Sequence, residues 1–187
     1  MTQPIPVYLA SENQIKRQAL EKFLGRSVEC VKTETLLAQP LGPEQALRCL
    51  YARIQDVLDA VGLANDCVVV AIENFVWAQD DDGTQYDECM IAVFRTSRGV
   101  RDFAAPPTCR VEVPAHLELP AFVFHRCARP LKQTLGQSIS ARFAKLSPPQ
   151  TVDPADWFVA AGSLFNRQQQ IDTALRYNRD KIRALID

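Results

Sequence analysis

Residues 5–16 read IPVYLASENQIK, and this stretch decides the fold. The run from Ile5 to Ala10 is apolar, with β-branched and aromatic side chains that favour a buried strand. Ser11-Glu12-Asn13 follows, and residues of these types commonly begin helices. The next apolar residues recur at helical spacing up to Gly25, a typical helix stop. They are Ile15, Ala19, Leu20, Phe23 and Leu24. The stretch predicts a strand, a turn and a helix.

The alternation of strands and helices continues along the chain. Val28 to Val31 predicts a short strand, and the next helix carries Pro43 in its first turn and ends at Gly62. Its apolar stripe is Ala46, Leu50, Ile54, Val57, Leu58 and Val61. Residues 67–72, CVVVAI, form the most hydrophobic run of the chain. They predict a central strand covered on both faces, with Glu73-Asn74 at its end.

The second half of the chain predicts fewer regular elements. Residues 89–96 predict a strand that forms a hairpin with the central strand across the acidic turn at 80–83. Residues 99–155 are rich in proline and are expected at the edge of the domain, with one short helix within 130–143. Residues 157–161 predict a last strand. A final helix then carries the stripe Ile171, Ala174, Leu175, Asn178, Ile182 and Leu185. We expect a single α/β domain over residues 1–187, with a mixed central sheet flanked by helices.

The composition argues against several classes of protein. The 21 basic and 22 acidic residues of the 187 nearly cancel, so no overall field attracts nucleic acid or an anionic membrane. Neither a signal peptide nor an apolar stretch long enough to span a bilayer is recognisable, so a cytoplasmic location is expected. Six cysteines without a CxxC pair predict mostly buried thiols, with three disulfides as the alternative. His116 and His125, near Cys109 and Cys127, match no common metal-ligand spacing.

Polar side chains suited to phosphate follow the first strand. Ser11, Asn13 and Lys16 offer a hydroxyl, an amide and an ammonium group at the start of a helix. Backbone N–H groups and the helix dipole attract anions at that position. The same residue types also occur as ordinary helix caps and surface residues, so this alternative stays open.

A carboxylate and two arginines are further candidates for the same site. Glu73 follows the most hydrophobic strand, where it could hold Mg²⁺ or activate water, or could be a plain ion-paired carboxylate. Glu34, after the second strand, could converge on the same edge of the sheet. Arg53 and Arg167 are candidates for a second phosphate contact, Arg167 because it opens the last helix.

Four segments together resemble a known family. They are LASENQIK at 9–16, QPLG at 39–42, VAIE at 70–73 and the terminal segment 162–174. In order and spacing they are similar to the inosine/xanthosine triphosphatase family, which includes the proline-rich coiled-coil proteins of eukaryotes. The resemblance implies an ITPase-like fold and hydrolysis of noncanonical purine nucleoside triphosphates, ITP or XTP, with Mg²⁺ or Mn²⁺. It also implies a homodimer or another protein partner.

The resemblance implies roles for several residues. It matches Ser11, Asn13 and Lys16 to the triphosphate-binding segment and Glu73 to a glutamate on the metal side of the cleft. With the candidates above, the expected site has Glu73 and Lys16 as catalytic residues and Glu73 and Glu34 as metal ligands. Its expected substrate-binding residues are Ser11, Asn13, Lys16, Arg53 and Arg167.

A second hypothesis is a catalytically degenerate member of this family that acts as an interaction or structural subunit. Glu12 stands where the enzymes carry a threonine, which places a negative charge beside the expected phosphate site. The basic, glycine-rich stretch of the enzymes is replaced here by DPADW at 153–157. This hypothesis predicts that nucleotides do not raise the melting temperature of the protein.

Overall fold

The computed structural model describes residues 5–62, 66–78, 83–104, 110–113 and 133–187. The strands are β1 (Val7–Leu9), β2 (Glu29–Cys30), β3 (Val68–Ala78), β4 (Gln85–Arg95), β5 (Gly99–Ala104) and β6 (Val111–Glu112). The helices are α1 (Gln14–Leu24), α2 (Gly42–Val61), α3 (Leu135–Phe143), α4 (Arg167–Tyr177) and α5 (Arg179–Ile186). None of these described helices has the length and apolar character needed to cross a membrane.

The strands form one mixed sheet in the order β2-β1-β3-β4-β5, with β6 also paired to β4. β1 runs parallel to both β2 and β3, whereas β4 is antiparallel to β3, β5 and β6. The expected α/β class with a mixed sheet flanked by helices is therefore confirmed. The expected hairpin of β3 and β4 is also confirmed, and it is longer than predicted because the pairing runs from Val68 with Arg95 to Ala78 with Gln85.

Helices cover both faces of β3, because alternate side chains of a strand point to opposite sides. Val68, Val70 and Ile72 pack with the apolar residues of α1, α4 and α5. Val69 and Ala71 pack with those of α2. A third apolar cluster joins Val76 to α3 and to the buried aromatic pair Trp157 and Phe158. The predicted burial of this strand on both faces is confirmed.

The ends of the first two helices follow the local signals in the sequence. The side chain of Asn13 caps α1 by accepting a hydrogen bond from the Lys16 N–H at 3.1 Å. Gly25 ends α1 with a left-handed φ of 71°, which glycine adopts without strain. Pro43 lies in the first turn of α2 and Gly62 follows its last residue. Val61 is exposed and does not share the buried stripe of that helix.

Three predictions about secondary structure were wrong. The strand expected at 157–161 is a series of turns, in which Trp157 and Phe158 are fully buried. The final helix is divided at Asn178, so α4 and α5 are separate helices. The strand expected to end at Ile72 continues to Ala78, because β4 pairs with it over that whole length. Within 99–155, α3 lies in the expected interval, while β5 and β6 were not expected.

Some expectations concern residues outside the described part of the chain. The acidic residues 80–82, both histidines, Cys109 and Cys127 lie there. Of the described cysteines, Cys49, Cys67 and Cys89 are buried, as predicted for most of them, and Cys30, Cys49 and Cys67 are free thiols.

Gly136, the second residue of α3, allows a close approach between that helix and the loop before α4. A Cβ atom at Gly136 would lie 1.9 Å from the backbone oxygen of Pro154. A backbone oxygen cannot rotate away, so we expect Gly136→Ala to destabilise the fold by about 1–3 kcal/mol, as overpacking does. Urea denaturation of the variant measures this change.

A control on the same helix separates this clash from helix propensity. In an unobstructed helix, replacing glycine by alanine raises the free energy of unfolding by about 1 kcal/mol. For Gly136→Ala we expect the opposite change, a lower free energy of unfolding. Ala141 is exposed on α3, and Ala141→Gly should show that ordinary cost. A Gly136→Ala variant that is more stable than the parent protein would show that α3 and Pro154 are not so closely packed.

Candidate functional site

The candidate site lies at a gap in the sheet beside β3. The pairing of β1 with β3 ends at Leu9 and Val70. The next pairing on this side of β3 is a bridge between Leu41 and Val76. Along residues 71–75, β3 pairs with β4 but with no described strand on the side of β1. Side chains from neighbouring helices can therefore reach the edge of β3 there.

Lys16 reaches this gap from the first turn of α1. Its Nζ atom donates a hydrogen bond to the Ile72 carbonyl at 2.5 Å and lies 3.9 Å from Oε1 of Glu73. The side chain is only 13% exposed. Burial lowers the pKa of Lys16 because the ammonium group loses its hydration, and the Glu73 carboxylate opposes this effect. Lys16 is thus a largely buried lysine beside a carboxylate, unlike an ordinary surface lysine.

Glu73 lies within β3, on the face that packs against α2. Arg53 of α2 donates from Nε to Oε2 of Glu73 at 2.7 Å, and the carboxylate side chain is 12% exposed. Arg53 also donates from Nη1 to the Thr33 hydroxyl at 2.7 Å. That hydroxyl donates in turn to the Ala10 carbonyl at 3.2 Å. These bonds join β3, α2 and the end of β1 around one carboxylate.

A second polar cluster lies on the opposite face of β3. Asn74 is 8% exposed, and its amide nitrogen donates to Oδ1 of Asp87 at 2.9 Å and to the Gln170 side chain at 2.7 Å. Arg167 donates to the other oxygen of Asp87 at 3.3 Å. Burial raises the pKa of Asp87, and the positive charge of Arg167 opposes that rise. Within the described part of the chain, two buried atoms of this cluster have no hydrogen-bond partner: Oδ1 of Asn74 and Nε of Arg167.

One cavity of about 170 Å³ connects the two clusters. Its walls include the N-terminal ends of three helices: Asn13 and Lys16 of α1, Thr134 of α3 and Arg167 of α4. Each of these helices already has a side-chain cap on one backbone N–H, so the positive end of the helix dipole is the feature that favours an anion here. The cavity is smaller than the roughly 300–1,000 Å³ typical of pockets for whole small molecules. The enclosed part suits a phosphate group, with the remainder of a ligand in the open mouth.

The structure brings some of the expected site residues together. Asn13, Lys16, Glu73 and Arg167 line the cavity, and Arg53 reaches it through its bond to Glu73. Ser11 lies beside them, where its hydroxyl accepts the Asn13 N–H at 3.1 Å, and it is not among the lining residues.

Glu34 was expected at this site but lies outside it. Its side chain is exposed, its backbone N–H donates to Asp56 at 2.9 Å, and it does not line the cavity. The preceding residue, Thr33, directs its side chain to Arg53, which leaves Glu34 on the solvent side. The structure therefore does not bring Glu34 and Glu73 together as a pair of metal ligands.

Sequence reasoning missed Asn74, Asp87, Gln170 and Thr134 as parts of the site. Asp87 and Gln170 are buried polar residues. Burial of such side chains requires hydrogen-bond partners, and those partners are distant in the sequence. The available signal was the pair of carboxylates at 87 and 88 before the apolar run that starts at residue 89, but the expected strand began only at residue 89. That boundary placed Asp87 in a turn.

The donors in the cavity fit a Mg²⁺ ion that arrives with phosphate oxygens better than a resident ion. The described residues contain no group of three or more His, Cys, Asp or Glu that could hold a metal. The cavity has two carboxylates, Glu73 and Asp87, each bonded to an arginine, and the unpartnered amide oxygen of Asn74. Mg²⁺ is commonly held by one or two carboxylates together with phosphates and water. The donor set meets that need only when a phosphate chain completes it.

Comparisons with known proteins identify the fold. No protein-family model matches this chain, and no curated protein matches it. Among solved structures, protein VC0702 from Vibrio cholerae is similar, with a TM-score of 0.54 and 14% sequence identity. The match covers 95% of this chain and 98% of that one. At this level of identity, the similarity shows that the two chains share a fold and nothing further.

Proposed function

We propose that this protein hydrolyses noncanonical purine nucleoside triphosphates, ITP or XTP. The observation that carries the proposal is the largely buried Lys16 in the first turn of α1, held between the Ile72 carbonyl and Glu73. Lys16 lines a cavity whose walls include the N-termini of three helices. A buried cation among helix N-termini is a favourable place for phosphate. The resemblance of residues 9–16, 39–42 and 70–73 to the inosine/xanthosine triphosphatase family supports a purine nucleoside triphosphate as the ligand.

The residues around the cavity have distinct roles in the proposed reaction. Lys16 and the N-terminus of α1 bind the phosphate chain and stabilise the charge that develops on the leaving phosphate oxygens. Arg167 provides a second cation on the opposite wall. Mg²⁺ or Mn²⁺ bound with the phosphates near Glu73 and Asn74 would supply charge neutralisation. Ser11 positions Asn13 through its hydrogen bond, and Asn13 caps the helix that carries Lys16.

Glu73 is the group that handles the proton in this proposal. Arg53 binds Oε2 at 2.7 Å, whereas the other oxygen, Oε1, has Lys16 at 3.9 Å and is left for a water molecule. Glu73 orients that water and accepts its proton as the water oxygen bonds to phosphorus and a P–O bond breaks. Arg53 is a positioning residue, since it holds the carboxylate in place from α2.

The experiment that tests the proposal is a nucleotide panel with Mg²⁺ and with Mn²⁺. We expect phosphate or pyrophosphate release from ITP and XTP to exceed release from ATP. Saturating ITP at about one hundred times its dissociation constant should stabilise the fold by about 2.7 kcal/mol. Intact nucleotides throughout the panel would contradict hydrolysis.

Lys16→Met tests the binding part of the proposal. Methionine keeps the length of the side chain and removes the charge, so we expect ITP to bind about 10- to 100-fold more weakly, as a lost charged hydrogen bond predicts. Isothermal titration with ITP measures the change. Lys32, which is exposed, provides the matched control Lys32→Met, for which we expect unchanged affinity. Equal affinity of the two variants would rule out Lys16 as a phosphate ligand.

A second candidate function is a catalytically degenerate member that serves as an interaction or structural subunit. It is favoured by the two cations that already hold Glu73, and by the exposed Glu12 beside the start of α1. It predicts no turnover and no thermal shift with ITP. It also predicts a stable homodimer or a complex with another protein, which light scattering on the purified chain and its complexes measures.

The proposed substrate supports a cytoplasmic location, since nucleoside triphosphates are abundant there. The described free thiols of Cys30, Cys49 and Cys67 agree with a reducing compartment. The near balance of 21 basic and 22 acidic residues supports a small-molecule ligand over nucleic acid or membrane.

A further inference from the structure

A second cavity lies between the C-terminal half of α1 and the junction of α4 and α5. Its volume is about 270 Å³, which is larger than that of the first cavity. It is lined by Ala19, Lys22, Phe23, Asp172, Arg176 and Arg179. The two cavities share no lining residue, so the second one is a separate feature of the molecule.

The lining of this second cavity carries more positive than negative charge. Three basic residues surround it, and Asp172 is the only acidic residue among those described in its walls. Lys22 and Arg176 are 64% and 70% exposed, so both can move to meet a ligand. Two arginines within a concave surface are well suited to the oxygens of a phosphate group.

Asp172 provides a second and independent indication of a ligand. It is only 6% exposed, and its Oδ2 atom accepts a hydrogen bond from Lys22 Nζ at 2.5 Å and lies 3.9 Å from Arg176. Its Oδ1 atom is buried and has no hydrogen-bond partner among the residues that the structure describes. A buried carboxylate oxygen without a partner is unfavourable, and a ligand that donates a hydrogen bond to it relieves this cost.

We infer that this cavity binds a small phosphate monoester that carries an amino or hydroxyl group a few bonds from its phosphate. The phosphate contacts Arg176 and Arg179, and the donor group contacts Oδ1 of Asp172. Phe23 offers an apolar wall for the short carbon chain between the two groups. Lys22 keeps its 2.5 Å bond to Oδ2 of Asp172, so the donor group of the ligand takes the other carboxylate oxygen, Oδ1.

Calorimetric titration at low salt with three probes tests this inference. The probes are phosphoethanolamine, ethyl phosphate, which lacks the amine, and inorganic phosphate. We expect phosphoethanolamine to bind about tenfold or more tightly than ethyl phosphate, as a hydrogen bond to a charged group predicts. Equal binding of these two compounds, or no binding at millimolar concentration, overturns the inference.

Variants identify the cavity as the place of binding. Arg176→Gln with Arg179→Gln should weaken phosphoethanolamine binding by about tenfold or more, and Asp172→Asn should remove the preference over ethyl phosphate. Arg48→Gln, at an exposed position of α2, is the matched control and should bind as the parent protein does. Unchanged phosphoethanolamine binding in the double arginine variant overturns the inference. This test remains available if the Asp172→Asn variant does not fold. Because no residue of the first cavity is altered, ITP binding reports on the proposed function separately.

Discussion

Replacing Glu73 by glutamine is expected to abolish metal-dependent hydrolysis of ITP and to destabilise the fold in the same variant. Loss of a general base lowers the rate by about 10²- to 10⁴-fold. The same change leaves Arg53 and Lys16 buried beside a neutral amide, at 2.7 Å and 3.9 Å from the atoms that carried the charge. Removing one partner of a buried ion pair costs about 3–5 kcal/mol. Phosphate release and urea denaturation measure the two effects.

A double variant separates catalysis from stability at this carboxylate. Arg53→Gln combined with Glu73→Gln removes both charges of the 2.7 Å pair, so we expect part of the lost stability to return. We expect no return of activity, because Glu73 is needed as the proton acceptor. If Glu73→Gln alone retains turnover, another group accepts the proton. If neither Glu73→Gln nor Arg53→Gln by itself changes the free energy of unfolding, the ion pair contributes little to the stability of the fold.

Trp157→Ala is expected to cost about 3–5 kcal/mol of stability, which is typical for removing a fully buried aromatic side chain. Trp157 has no exposed surface, and its ring meets that of Phe158 edge to face at a centroid distance of 4.7 Å. The segment that it anchors contributes Pro154 and Ala155 to the wall of the first cavity. We therefore expect weaker binding of ITP as well, measured by titration at a temperature where the variant remains folded.

Trp157→Phe is the matched control for that substitution. Phenylalanine keeps an aromatic ring in the third apolar cluster and removes the indole N–H, which is buried without a hydrogen-bond partner in the described structure. We expect it to cost much less stability than alanine, because little apolar contact is lost and no partner is left unpaired. Equal losses for the two variants would show that ring packing is not what holds this segment.

Elements with signals inside their own segment were predictable. The helix α1 is capped by Asn13, whose side chain binds a backbone group three residues ahead, and it is followed by Gly25 with a positive φ. These interactions involve neighbours in the chain, so residue type and spacing are enough to predict them. The mixed sheet was predictable for a similar reason. Strands and helices alternate from β1 to α2, which predicts parallel strands, and β3 and β4 form a hairpin, which predicts an antiparallel pair.

Other elements depended on partners that are distant in the chain. β3 continues past Ile72 because β4 pairs with it as far as Ala78, and no signal within residues 67–73 shows this. The run at 157–161 has the apolar composition of a strand, but Trp157 and Phe158 fill the third apolar cluster from turns instead. The periodicity of apolar residues alone does not distinguish a buried strand from buried turns.

The sequence by itself determined the residue types at the start of α1 and the order of the elements from β1 to β4. Only the tertiary structure decided which of those residues form the site. It buried Lys16 against the carbonyl of Ile72, joined Arg53 to Glu73 and left Glu34 in solvent. The physical reason is that capping needs only a few consecutive residues, whereas burial and ion pairing depend on where the pairing of β1 with β3 stops. That gap in the sheet places Lys16 and Glu73 together and gives a common lysine and glutamate a buried, charged environment.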